Sequence, residues 1–408
     1  MNRFVSSVLN PSFLRAPFRG MGLVLWLYVV ICVLMVRNGG VFNGEIVGFD
    51  DQVRMVQVLD WINNPHGMFA GWYDRTIMRT NAPEGFTSGW SRLVDLPVAL
   101  IILVAQNFMA QKSAALIAAA IVPLMQLAIL FAVAPYFARP LVGKRKARLI
   151  LPFLIFTSIL NLKFFSASGF LVGQVSHHPW YIILALVLFG AAARIVMGSA
   201  RLDPVLAMGA AIALLNSVGI EAYPLIACAT GMIALTAWLF GRPSPVLHGA
   251  YALLCGAAGS LLLLPLHQPL TTFFTVSFGE PSIMGVILAG CAALFLFAEY
   301  GVLTRFAGRK AIAGFCLALL AAVFAAGLIA AFPRILDGAA AALSPAERQM
   351  ALREHYEAQP VHTLARNLGE WLGLIMPCLL SLAAGIYATW RAKGRRRALH
   401  LCYLGFAL

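Results

Sequence analysis

With 408 residues, 61% hydrophobic and only 11% charged, the chain falls well below the charged fraction of about 25% of a soluble domain. Its mean hydropathy is +0.84. The composition therefore excludes an ordinary soluble enzyme and points to an all-α polytopic membrane protein. The formal charge of +14 does not point to nucleic acid, because the basic residues form short clusters between apolar spans, as the positive-inside rule requires.

Arg3, Arg15 and Arg19 precede the first apolar stretch, residues 22–36, and no small-residue cleavage site follows it, so it reads as an uncleaved span with a cytoplasmic N-terminus. The first outer loop, 37–95, comes next. It contains Gly48-Phe-Asp-Asp-Gln-Val-Arg54, and after it Met55, Val58, Leu59 and Ile62 repeat at the spacing of one helix face. Asp50 and Asp51 thus stand at a helix N-terminus, where the dipole favours a carboxylate. They serve either as a cap or as a metal ligand or proton acceptor. Glu45, Asp60, Asp74, Glu84 and Asp95 share this loop with Arg54, Arg75, Arg79 and Arg92. Such a mixture pairs its own charges, and some of it is available to a substrate.

Of the next two apolar segments, 96–110 and 114–136, only one crosses. If both did, the cluster Gly-Lys-Arg-Lys-Ala-Arg at 143–148 would lie outside. The segment 96–110 is therefore expected along the interface. Spans then alternate regularly: 149–165 outward, 181–198 back, 204–217 out, 224–240 back, 250–266 out, 283–303 back, 311–331 out and 368–389 back. Outer loops lie at 166–180 and 333–366. Glu221 sits in a tight outer turn facing the same outer cleft. Lys163, Arg194 and Glu299 lie toward span ends, where snorkelling carries their charge to the interface. The chain is read as one domain, a bundle of about ten transmembrane helices whose long outer loops carry short amphipathic helices.

The last outer loop holds a capping box, Ser344-Pro-Ala-Glu347, opening a helix to about Glu357 and stopped before Pro360. An acidic residue at a helix C-terminus is mildly unfavourable, which hints at another role for Glu357. The seven cysteines all lie in apolar segments with no C-x-x-C, so neither a disulfide framework nor a thiolate site is indicated. No P-loop, G-x-G-x-x-G, H-E-x-x-H or G-x-S-x-G is present. His177 and His178 begin the span after the second outer loop. Neighbours on a helix start point apart, so joint ligation of one ion is not expected, and interfacial histidines bonded to backbone or water are the alternative.

This arrangement resembles the GT-C class of integral-membrane glycosyltransferases, and more narrowly the catalytic subunit of oligosaccharyltransferase. That subunit opens its first outer loop with E-F-D and later reads W-F-D-D-R; Gly48-Phe-Asp50 and Trp72-Tyr-Asp-Arg75 stand in those places. Its second outer loop carries D-x-E where this chain has Gln174-Val-Ser-His-His178, so Ser176 and His178 replace acidic residues. Tyr356-Glu-Ala-Gln-Pro360 is similar to the second half of its S-V-S-E-H-Q-P motif. That subunit continues into a soluble outer domain, whereas this sequence stops at Leu408.

The resemblance implies transfer of a sugar from a polyprenyl-phosphate donor to a glycan, lipid or protein acceptor outside the membrane. The setting expected is a bacterial inner membrane with a periplasmic active site and lipid contacts, without nucleic acid. Asp50 and Glu357 would be catalytic, with Asp50 the base. Asp51, Arg54, Trp90, Arg92, Glu221 and Gln359 would contact substrate. A divalent cation, Mg or Mn, would sit at Asp50, His177 and His178, a histidine replacing a carboxylate. Trp61, Trp72 and Trp90 would stack on sugars or join the interfacial belt, the belt being favoured for Trp72. The competing class is a transporter or flippase for a lipid-linked glycan, which calls for charged or broken-helix sites near the midplane.

Overall fold

The fold was analysed in a computed structural model. It describes residues 28–36, 41, 44–46, 48–77, 86, 87, 89, 91–160, 170–199, 201–336, 379, 382–394, 396, 397, 399 and 400. The expected capping box at 344–347, Trp90, Lys163, Glu357 and Gln359 lie outside them. The chain divides into two compact units, one from residues 1–71 and 95–183, the other from 72–94 and 184–408.

In the first unit, residues 28–36 are helical, and Ile31 and Met35 pack with Leu127, Phe131, Phe170, Val172 and Ile183 in one buried cluster. The Tyr28 hydroxyl donates to the Leu124 carbonyl at 2.7 Å, and the Gly173 amide donates to that of Ala119 at 2.9 Å. Segment 170–177 is thereby fixed against the long helix that begins at Gln111. Helix α1, Phe49–Ile62, is the expected amphipathic helix, but its buried stripe is Asp51, Arg54, Met55, Val58 and Trp61. Leu59 and Ile62 are only half-buried. The stripe is rotated from the one the apolar periodicity selects because two charged side chains find partners inside.

Helix α2, Arg92–Ala105, has 14 residues, about 21 Å at the usual rise, too short for a hydrocarbon core of about 30 Å. It begins ahead of Asp95, so the preceding loop ends at Ser91. The 50-residue α3, Gln111–Leu160, is two helices meeting at Gly143, whose φ of 82° and ψ of 166° break the spiral. A left-handed φ is open to glycine at little cost. The break falls at the start of the basic cluster that the sequence places between two spans.

The second unit holds the rest of the bundle. Helix α4, His178–Val196, runs from the first unit into it. Then come α5, Leu202–Val218, a 3-10 turn at Ile220–Ala222, α6, Tyr223–Phe240, α7, Ser244–Leu263, α8, Ile283–Arg305, and α9, Lys310–Ala331. Among the described residues six helices are long and apolar enough to cross a membrane, and the 17-residue α5 is a shorter apolar helix. α7 sits between α5 and α8. A Cβ on Gly256 would meet Ile212 at 2.6 Å, and one on Gly209 would meet Cys255 at 2.7 Å. This is the small-residue contact by which helices approach closely in lipid. Two-residue strands β1, Thr76–Ile77, and β2, Phe86–Thr87, pair antiparallel with Thr76 opposite Thr87.

Glu299 corrects an expectation. It does not reach the interface: its side chain is fully buried within α8, and neither carboxyl oxygen has a hydrogen-bond partner among the described residues. Gly231, Trp238 and Gly314 are among the residues that share the small cavity it lines.

Candidate functional site

In the first unit the site begins with Gly48, the N-cap of α1, whose φ is 97°. A Cβ there would stand 2.7 Å from Asp51 Oδ2. Position 48 is therefore confined to glycine by both conformation and space. The Gly48 carbonyl accepts the Gln52 amide at 3.1 Å, and the Gln52 side chain donates to the Ile46 carbonyl at 2.9 Å, tying the approach of the chain to the helix it enters. No side chain caps α1, and Asp50 and Asp51 occupy its first turn.

These adjacent carboxylates have opposite environments. Asp50 is exposed, beside the partial positive charge of the helix start. Asp51 is 7% exposed, and its Oδ1 accepts the Val175 amide at 2.7 Å. Burial pushes the Asp51 carboxyl up to about 6, against the lowering effects of the Val175 hydrogen bond and the Arg54 charge, while Asp50 beside it adds to the rise. Asp51 thus fastens α1 to segment 170–177, and Asp50 faces solvent.

One turn on, Arg54 is buried to 2%. Its Nη2 lies 3.1 Å from His177 Nδ1 and its Nη1 3.9 Å from Asp95 Oδ1. Burial lowers the guanidinium's affinity for its proton, and the charges of Asp95 and Asp51 offset this, so it remains a cation. With a guanidinium donor at Nδ1, His177 accepts there. The His177 ring stacks on His178, centroids 4.4 Å apart, and meets Tyr181 edge-on at 5.5 Å. The two histidine rings lie together rather than pointing apart, because Ser176 accepts the His178 amide at 3.2 Å and folds the chain tightly into α4.

The metal set expected at Asp50, His177 and His178 meets a plain obstacle. Among the described residues no three His, Cys, Asp or Glu side chains gather to hold an ion, and one His177 nitrogen is committed to Arg54. Glu357, another carboxylate of the expected site, lies outside the described residues.

In the second unit, Trp72, Tyr73, Arg75 and Ser91 bind the segment after α7. The Trp72 indole N–H donates to the Leu266 carbonyl at 2.8 Å, and the Tyr73 hydroxyl to that of Pro265 at 2.6 Å. Arg75 pairs with Glu280. Arg92, expected at the substrate, is 2% exposed and donates to the Trp72 and Asp74 carbonyls. Ser91 Oγ lies 3.4 Å from Nδ1 of buried His267. Burial, with the nearby Arg75 charge, drives the His267 imidazole down to about 4, so it is neutral at ordinary pH.

Arg54 and Arg92 are both buried and hold side-chain and backbone groups within their own units. Trp61 acts likewise, its indole donating to the Met68 carbonyl at 2.8 Å. Glu221 is exposed in the 3-10 turn and lines a cavity together with Asn216. Sequence reasoning missed Val175, Asp95 as the partner of Arg54, His267 and Asn216. A charged residue recurring on an amphipathic stripe, as Arg54 does between Asp51 and Val58, was the available signal for the second of these.

No protein-family model matches the sequence, and no curated protein does. Solved structures do match in fold. The oligosaccharyltransferase AglB of Archaeoglobus fulgidus, in complex with an inhibitory peptide and a dolichol-phosphate, superposes with a TM-score of 0.63 at 13% identity, over 95% of this chain and 47% of that one. The Archaeoglobus fulgidus enzyme in its apo form gives 0.61 at 14% identity, over 93% and 46%. The form tethered to an acceptor peptide containing the NVT sequon gives 0.62 at 14%, over 93% and 45%. The chain spans about half the length of each structure it matches. It therefore shares the all-α fold of the helical membrane part of an archaeal oligosaccharyltransferase.

Proposed function

We propose that the chain is a GT-C glycosyltransferase that moves a sugar from a polyprenyl-phosphate-linked donor to a hydroxyl or amide acceptor on the outer side of the membrane, in a bacterial inner membrane. One observation carries the reading: in a chain with an oligosaccharyltransferase membrane fold, the exposed carboxylate Asp50 sits in the first turn of α1. That the matched structures include one with dolichol-phosphate and one with an acceptor peptide supports a lipid-linked donor.

In this reading Asp50 takes the proton from the acceptor as its heteroatom attacks the anomeric carbon. The bond from that carbon to the phosphate oxygen breaks, the phosphate leaves with the electron pair, and the configuration inverts. Asp51 holds α1 so that Asp50 is presented outward. Arg54 braces α1 through His177 and Asp95, and neither Arg54 nor Arg92 is assigned to the leaving phosphate. Glu357 and Gln359 keep the substrate-side roles that the motif implies, and Trp90 that of a sugar-stacking ring.

The test is turnover with a panel of polyprenyl-phosphate sugars. Asp50→Asn keeps the side chain's size and removes its charge, so transfer should fall about a hundredfold or more at normal abundance. Asp60→Asn, on the last turns of α1, should do much less. Near-normal transfer by Asp50→Asn would leave that residue a mere helix-start charge. A flippase reading rests on Glu299 alone, a buried carboxyl within a span. It would gain if Asp50→Asn left lipid movement intact while Glu299→Gln abolished it.

A further inference from the structure

Within the second unit an apolar slot of about 300 Å³ lies where α6 and α8 near their ends and α9 begins. Its walls come from α6 through Leu235 and Trp238, from α8 through Phe295, and from α9 through Leu317 and Ala318. Leu235 and Ala318 are exposed, so the slot opens sideways between two helices of membrane-crossing length. Glu299 also lines it, but that side chain is fully buried and is enclosed rather than presented at the mouth. An opening on the hydrocarbon suits a lipid chain, which is already there and gives up no water to enter.

The end of the slot is tied together from both sides. The Trp238 indole N–H donates to the Lys310 carbonyl at 3.1 Å, and Lys310 Nζ donates to the Leu239 carbonyl at 2.8 Å. These reciprocal bonds hold the start of α9 on the last turn of α6. Gly314 permits the approach, since a Cβ there would stand 2.9 Å from the Trp238 ring. Gly241 ends α6 in the left-handed conformation, with φ 59°, and the Arg242 amide donates back to the Ala237 carbonyl at 3.0 Å. Arg242, at the end of α6, and Arg309, beside Lys310, are thus brought to within about a turn of the Trp238 wall.

Arg242 and Arg309 are both exposed. A guanidinium offers its donors in a fork that matches the oxygens of a phosphate, and a tryptophan at a helix end sits at headgroup depth. The alternation of basic clusters accounts for arginines at this end of the helices. It does not account for a pair of them beside a slot that opens on lipid. That juxtaposition selects the occupant, because a phospholipid carries an anionic head and an apolar chain at the same spacing from the interface.

We infer that the slot between α6 and α9 binds one acyl chain of an anionic phospholipid, whose phosphodiester pairs with Arg242 and Arg309. The lipid serves as a bound partner of the bundle and not as a sugar donor. The inference stands whether or not the chain transfers sugars, because binding is read without turnover.

The experiment places the full chain in phosphatidylcholine nanodiscs doped with phosphatidylglycerol or phosphatidylcholine bearing the same diazirine-labelled acyl chain, and maps the photo-crosslinks by peptide mass spectrometry. Phosphatidylglycerol should label Leu235, Leu317 or Ala318 at least about fivefold more than phosphatidylcholine does, the scale of one basic residue beside an anionic lipid. The double variant Arg242→Gln, Arg309→Gln should lose that excess. Arg201→Gln, which removes an exposed cation paired with Asp203 at 2.8 Å, should keep it. Ala318→Phe, at the mouth of the slot, should lower labelling of Leu235 and Leu317 about fivefold. Equal labelling of these positions by the two lipids, or phosphatidylglycerol labelling confined to other segments, would overturn the inference. So would an excess that survives the double variant or is lost equally in Arg201→Gln, or full labelling of Leu235 in a stably folded Ala318→Phe. The wild-type comparison of the two lipids decides the matter even where a variant fails to fold.

Discussion

Asp51 and His267 are buried titratable residues, one in each unit, and their burial acts on stability with opposite signs. Burial pushes Asp51 up to about 6 from its ordinary 3.8. The folded state therefore binds more protons than the unfolded one between those values, and stability falls as pH rises through that window. His267 is driven down to about 4 from 6.5. The unfolded state then binds more protons, and stability is lost as pH falls from about 6.5 toward 4. The two slopes oppose each other in wild type and separate in variants. Thermal unfolding in detergent across pH 4–7 should show Asp51→Asn gaining on wild type as pH rises, by on the order of 1–3 kcal/mol. His267→Gln should lose its disadvantage against wild type as pH falls. Parallel curves for wild type and both variants would mean that neither group titrates as its burial requires.

At the scale of the element, α1 shows how one helix can satisfy two demands. Its apolar residues supply the packing of Met55 and Val58, while Asp51 and Arg54 on the same stripe reach Val175, His177 and Asp95. The periodicity of Met55, Val58, Leu59 and Ile62 made the helix legible in the sequence but set its face slightly wrong. Hydrophobic spacing cannot weigh a buried ion pair whose partners lie more than forty residues away. The entry into this helix depends on Gly48, where a side chain would need a φ of 97° and would strike Asp51. Gly48→Ala should therefore destabilise by about 1–3 kcal/mol and lower transfer as well, since it displaces both first-turn carboxylates. The same exchange at Gly301, where an added Cβ meets nothing, should be neutral or slightly stabilising. Equal Tm values for the two variants would show that α1 accommodates a side chain at its cap.

For the whole molecule, the order of apolar segments and basic clusters predicts which ends of the helices face the cytoplasm. The shortness of α2 and the break at Gly143 are both compatible with that alternation. In a cysteine-free background, a cysteine at Ala70 should label with an impermeant thiol reagent from outside intact cells, and one at Ala307 should label only after permeabilisation. Both positions are exposed. The reverse pattern would invert every loop and remove the outward setting proposed for Asp50.

The sequence by itself determined the class of molecule and the approximate bounds of its helices, because burial in lipid demands long apolar runs whose ends carry charge. It also located the acidic helix start at Asp50 and Asp51, through local spacing alone. Only the tertiary structure decided which of these carboxylates is exposed and which is pinned by Val175. Only the tertiary structure buried Arg54 against His177 and Asp95 and Arg92 against Trp72 and Asp74, and enclosed Glu299, expected to snorkel, within α8. It likewise left Asn216 Oδ1 unsatisfied in a cavity wall. The reason is common to all four cases: a polar side chain's role is set by which donors and acceptors reach it after folding, and those come from segments distant in the chain.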